Sequence, residues 1–186
     1  VFARRMMTAL SHASVPQPHA LDEDYRLLKA AVEEAGKLAH SYFRQEVAVR
    51  RKKDGTEVSD ADIAVNEALK ERLLGGRPDY GWLSEESEDD ATRLERRLVW
   101  MVDPIDGTNA FLRHIPEWTI SAALVQEGKP VLGAVSNPAT GEFFHAIRGR
   151  GTFLNDTPIK VTGKETLEGA LFIAVDPVQP WILLAL

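Results

Sequence analysis

The sequence contains no cysteine. That absence removes disulfides, thiolate zinc sites and cysteine nucleophiles together, and it fits a reducing, cytoplasmic setting. No apolar run approaches the roughly 18 residues needed to span a bilayer, so no membrane association is expected. Positive charge is in deficit: 22 Lys and Arg against 28 Asp and Glu give a formal net charge of −6. Such a chain lacks the electrostatic footprint of a nucleic-acid binder. Histidine is scarce as well, and none of His12, His19, His40, His114 and His145 is paired at metal-ligand spacing. Residues 1–20 hold no acidic side chain, and Met6 to Leu10 is too short and interrupted for a secretory core, so a disordered leader is expected there.

What is present suits one sizeable domain. The 186 residues are 44% hydrophobic and 27% charged, ordinary values for a soluble globular protein with a real core. Leu21, Tyr25, Leu28, Val32, Ala35, Ala39 and Tyr42 alternate at steps of four and three, which predicts a helix from about Leu21 to Arg44. Val47 to Val49 suits a short strand, and the basic run Arg50 to Lys53 leads into a turn at Asp54-Gly55-Thr56. Ser59 and Asp62 resemble a capping pair for a second helix, with Ile63, Leu69 and Leu73 as its apolar positions and Gly75 to Pro78 as its end. Tyr80 to Leu83 reads as a short strand delivering Ser84-Glu85-Glu86-Ser87, and residues 88–97 as an exposed loop or short helix.

Leu98 to Val102 has the composition of a buried strand ending at Asp103. Strands are predicted over Trp118 to Val125, Val131 to Val135 and Glu142 to Ile147, joined by turn sequences as an antiparallel meander. Gly149, Gly151, Asn155 and Asp156 mark a further bend, and Leu171 to Val175 a last strand. Helices followed by mostly antiparallel strands define an α+β class.

The chemistry concentrates in Asp103-Pro104-Ile105-Asp106-Gly107-Thr108. Two carboxylates this close repel unless positive charge sits between them. A hard divalent cation with oxygen ligands answers that, and Mg²⁺ characteristically combines few carboxylates with water and substrate phosphate. Gly107 permits close backbone approach to a ligand, and a helix beginning near Thr108 would aim N–H groups at an anion. Glu85 and Glu86 place further carboxylates at a strand end. Alone they read as a solvated acidic loop, as Asp62 alone reads as a helix-cap acid. The set Asp62, Glu85, Asp103, Asp106 and Thr108 carries more than its parts.

That set resembles the inositol monophosphatase family, within the superfamily that includes fructose-1,6-bisphosphatase and 3′(2′),5′-bisphosphate nucleotidase. The resemblance rests on Val58-Ser59-Asp60-Ala61-Asp62, Trp82 to Ser87, Asp103 to Thr108, Trp118 through Gly133, and Gly149 to Asn155. It implies the N-terminal half of a layered α/β sandwich and hydrolysis of a small phosphomonoester, inositol 1-phosphate by default. Bisphosphate nucleotidase and histidinol-phosphate phosphatase are the alternative activities, and an inactive fragment is the non-catalytic alternative. The resemblance further implies a first Mg²⁺ held by Glu85, Asp103 and the Ile105 carbonyl, with Glu86 or waters nearby, and a second shared by the bridging Asp103 and Asp106; Glu85 is counted with Asp62 and Thr108 among the catalytic residues. Gly107 and Thr108 N–H groups would hold phosphate, and Thr108 paired with Asp62 would activate water. Lys53 falls where the family has a basic residue near the site.

Two features depart from the family pattern. Ser84 stands where many members have Gly, and no Trp-Asp-x-Ala-type motif follows Val175. The expectation is a metal-binding α+β domain over residues 21–175. The second α/β half is then absent, and 176–186 form an atypical apolar tail. The expected partners are a small phosphorylated metabolite and a second copy in a homodimer.

Overall fold

The computed structural model describes residues 18–51, 57–163 and 165–166. Two helices, α1 (Pro18–Tyr42) and α2 (Asp60–Gly76), cover one face of a seven-stranded sheet. Its strands run in the order β3 (Gly81–Ser84), β4 (Leu98–Asp106), β5 (Thr119–Gln126), β6 (Lys129–Asn137), β7 (Glu142–Ile147), β8 (Gly151–Leu154) and β9 (Thr157–Ile159). Among the described residues only β3 pairs parallel, against β4, and every later pairing is antiparallel. The α+β architecture is therefore present, with a helix-covered, mainly antiparallel sheet. A separate ribbon joins β1 (Val49–Arg51) to β2 (Glu57–Ser59).

The predicted stripe on α1 is the observed one: Leu21, Leu28, Val32, Ala35 and Ala39 are buried. On α2 the buried stripe is Ala61, Asp62, Val65, Asn66, Leu69 and Leu73. Ile63 was expected inside this stripe and is instead 38% exposed, because the helical period turns it away from its buried neighbours. Helix α2 starts on a full capping box, in which Ser59 and Asp62 bond reciprocally. Helix α2 packs on β4 and α1 on β5 and β6, where none of Trp100, Ile120, Leu124 and Leu132 is more than 2% exposed. Burying an aliphatic side chain of this size contributes about 1.5–3 kcal/mol.

Several boundaries differ from the sequence reading. The first strand falls at Val49–Arg51 rather than Val47 to Val49. Residues 91–95, read within an exposed loop or short helix, do form a short 3-10 helix with no buried residue. The bend after Gly149 contains two more strands, β8 and β9, closed through Asn155 and Asp156 at positive φ. Strand β4 runs on through Asp106 rather than ending at Asp103, and it is buried on one face only: Trp100 and Val102 are covered, whereas Met101 is 41% exposed. The uncovered face forms a groove of about 650 Å³, lined among others by Leu83, Met101, Val135 and Phe144, with Glu85 and Asp103 on its wall. Lys53, the predicted strand at residues 171–175, the tail at 176–186 and all but the end of the expected leader lie outside the described residues.

Candidate active site

Two short-range features bring the acidic groups together. The first is a β-bulge. Asp103 pairs with Ser121, but Asp106 pairs with Thr119, so β4 carries one extra residue between them. Pro104 lies in that interval and has no N–H to give the ladder. In an unbroken strand, side chains three apart point to opposite faces. Across the bulge, Asp106 lies close enough to act on the Asp103 carboxyl. The second feature is the turn after β3, where the Glu85 N–H donates to the Val102 carbonyl at 3.3 Å and pins Glu85 beside Asp103.

The result is a strongly negative locus. Burial pushes the Asp103 carboxyl up to about 7, reinforced by the charges of Glu85 and Asp106, a hydrogen bond with Glu85 and the charge of Glu86. Among the described residues no group of three or more His, Asp or Glu side chains is placed to hold a metal ion as it stands. The donors nevertheless fit Mg²⁺ in kind. All are oxygens, and Mg²⁺ keeps several waters while using one or two carboxylates, so a closed protein cage is not required.

Asp62 and Thr108 form a second arm. Asp62 is 1% exposed on the first turn of α2. Its Oδ2 accepts from the Ser59 backbone N–H at 2.8 Å and from the Ser59 hydroxyl at 2.5 Å. Thr108 Oγ1 lies 3.1 Å from Asp62 Oδ1 and 3.1 Å from the Ile105 carbonyl, so its single proton serves one acceptor at a time. The Ile105 carbonyl thus also meets this hydroxyl.

Gly107 has φ +89° and caps the five-residue helix α3 (Thr108–Leu112). A Cβ there would sit 2.9 Å from the Glu117 carbonyl oxygen. Glycine is therefore required by the backbone itself, independently of any ligand. His114 is exposed and meets the Phe43 ring edge-on, and Trp118 is buried against Phe43 and Phe111.

Reading the sequence missed Asn66 and passed over Ser84. Asn66 is fully buried, and the Ser84 hydroxyl donates to its Oδ1 at 2.6 Å. One signal was available: Asn66 stands one helical turn beyond Asp62, a polar residue on an apolar stripe.

A helix-backed, mainly antiparallel sheet with acidic groups gathered at a bulged strand defines an α+β scaffold that presents oxygen donors. The chain belongs to the inositol monophosphatase family, which it matches over residues 20–179. It is 42% identical over 143 residues to an inositol-1-monophosphatase of Rhizobium meliloti, covering 76% of this chain and 53% of that protein. It is 37% identical over 140 residues to a histidinol-phosphatase of Chlorobaculum parvum, covering 75% and 53%. The crystal structure of extragenic suppressor protein suhB from Bartonella henselae superposes with a TM-score of 0.71 at 33% identity, covering 75% of this chain and 55% of that one. The chain spans about half the length of the curated relatives it matches.

Proposed function

We propose that this chain supplies the metal- and water-handling part of a Mg²⁺-dependent phosphatase for a small phosphomonoester, with inositol 1-phosphate as the leading substrate. The observation that carries the reading is the Thr108–Asp62 hydrogen bond, on a turn shared with the repelling carboxylates Asp103 and Asp106. Glu85, Asp103, the Ile105 carbonyl and Asp106 would hold Mg²⁺, with Glu86 beside them. The ion, when bound, supplies positive charge that acidifies water and neutralises phosphate oxygens. Thr108 donates its proton to Asp62 or Ile105, leaving its oxygen to accept from, and so orient, the attacking water. Asp62 has one oxygen held by Ser59 and the other toward Thr108, which suits it to draw that water's proton through the hydroxyl. The Gly107 and Thr108 N–H groups are assigned to phosphate on the family resemblance, because a five-residue helix carries little dipole. Lys53 stays a proposal on the same ground.

The test is phosphate release from inositol 1-phosphate, histidinol phosphate and a 3′,5′-bisphosphate nucleotide, with calorimetric Mg²⁺ titration alongside. Release from the first, only with Mg²⁺, is the expected result; preference for another names the substrate instead. Mg²⁺ uptake without turnover would favour the inactive-fragment reading. Absence of both would sink the metal assignment. A cytoplasmic location and a homodimer complete the proposal, checked by fractionation and by light scattering. Among the described residues no helix is long and apolar enough to cross a membrane.

A further inference from the structure

We infer that Asn66 is a positioning residue that clamps the Ser84–Ser87 turn, and with it Glu85 and Glu86, onto the helix that carries Asp62. The inference rests on the functional reading above, in which Glu85 is a metal ligand. Asn66 has no exposed surface, yet it lies on the apolar stripe of α2 one turn beyond Asp62. Its Oδ1 accepts from the Ser84 hydroxyl at 2.6 Å, and its Nδ2 donates to the Ser87 hydroxyl at 3.1 Å. Nδ2 also donates to Glu67 Oε1 at 3.2 Å. An ionised carboxylate only accepts, so this contact assigns the amide's orientation.

The turn is held from its other side too. The Glu86 N–H donates to Ser84 Oγ at 3.2 Å, and the Trp82 indole N–H to Ser87 Oγ at 3.2 Å. The Ser87 N–H closes on the Ser84 carbonyl at 3.4 Å. Ser84 therefore gives its proton to Asn66 while its oxygen receives Glu86, a double role that glycine at this position cannot fill. The need for such a clamp follows from charge. Glu85 and Glu86 bring negative charge to bear on Asp103, as Asp106 does, and like charge favours drift of the turn away from the strand. A buried, fully bonded amide resists that drift and keeps the donors near their bound spacing, which lowers the ordering cost of ligation. One helix then sets both arms of the site, Asp62 directly and Glu85 through Asn66.

The test compares Asn66→Ala, Ser84→Ala and the conservative Ser84→Thr with the wild-type chain. Circular dichroism and thermal melting verify that each folds; should Asn66→Ala not fold, the two Ser84 variants suffice. Two quantities are read: metal-free amide exchange over residues 84–87, and the Mg²⁺ dissociation constant by calorimetry. Ser84→Ala is expected to speed exchange and weaken Mg²⁺ binding, each by about tenfold, whereas Ser84→Thr restores both. Folded Ser84→Ala protein with both quantities within about twofold of wild type overturns the inference and leaves Asn66 a stability residue. If the wild-type chain takes up no Mg²⁺, the functional reading fails separately. Exchange over 84–87 then decides the clamp: faster in Ser84→Ala upholds it, unchanged sinks it.

Discussion

Asp62 and Asp103 are both drawn out of water, and their surroundings are opposite. Asp62 sits at a helix start, where Ser59 supplies a backbone N–H and a hydroxyl and Thr108 supplies a second hydroxyl. Each of these neighbours offers it a hydrogen-bond donor. Asp103 sits beyond the covered face of β4, where burial, Glu85, Asp106 and Glu86 all disfavour its charge. The first arm is completed by the chain's own hydrogen bonds. The second is left electrostatically unfinished, which is the condition a cation relieves. The difference shows that an acidic residue in a site is informative through its neighbours, not through its own burial.

The largest expected effect separates the arms directly. Asp103→Asn should weaken Mg²⁺ binding by about 100-fold or more, by calorimetry, because a ligand costs at least what an outer-shell partner does. The same variant should melt no lower than wild type without metal, since it removes repulsion. Unchanged Mg²⁺ affinity would show that Asp103 is not a ligand. Next, Gly107→Ala should cost about 2 kcal/mol or more by urea denaturation, from positive φ and collision with the Glu117 carbonyl. A neutral result would mean the turn between the arms is not strained as drawn. Smaller again, Ser59→Ala should cost about 1 kcal/mol of stability through the lost cap while leaving Mg²⁺ affinity unchanged. An equal loss of Mg²⁺ affinity would show the arms to be coupled.

The subtlest expectation is a pH slope. In the folded chain Asp103 keeps its proton up to about 7, against an ordinary value of 3.8. Between those values the native state binds more proton than the unfolded one, so this group makes stability fall as pH rises through that window. Melting of the metal-free chain should show the decline, and saturating Mg²⁺ should flatten it by taking the proton's place. A metal-free profile without any decline would remove the repulsion on which the contrast between Asp62 and Asp103 depends.

Much of this was legible without coordinates. The α1 stripe, the Ser59–Asp62 cap and the antiparallel meander follow from periods and capping chemistry that act within a few residues. The short strands β8 and β9 read as a bend because Gly149, Gly151, Asn155 and Asp156 dominate their local signal. Leu98 to Val102 looked buried throughout because composition records apolarity but not which face another element will cover.

What the sequence by itself determined was the identity of the acidic set and the local elements presenting it. Tertiary structure alone decided three further things. The bulge brings Asp106 to bear on Asp103. The helices leave the Met101 and Val135 face of the sheet open. Asn66 reaches across to Ser84, and Thr108 to Asp62. Those last pairs are 18 and 46 residues apart in the chain. Contacts at such separations are set by how whole elements pack, and local propensity carries no record of them.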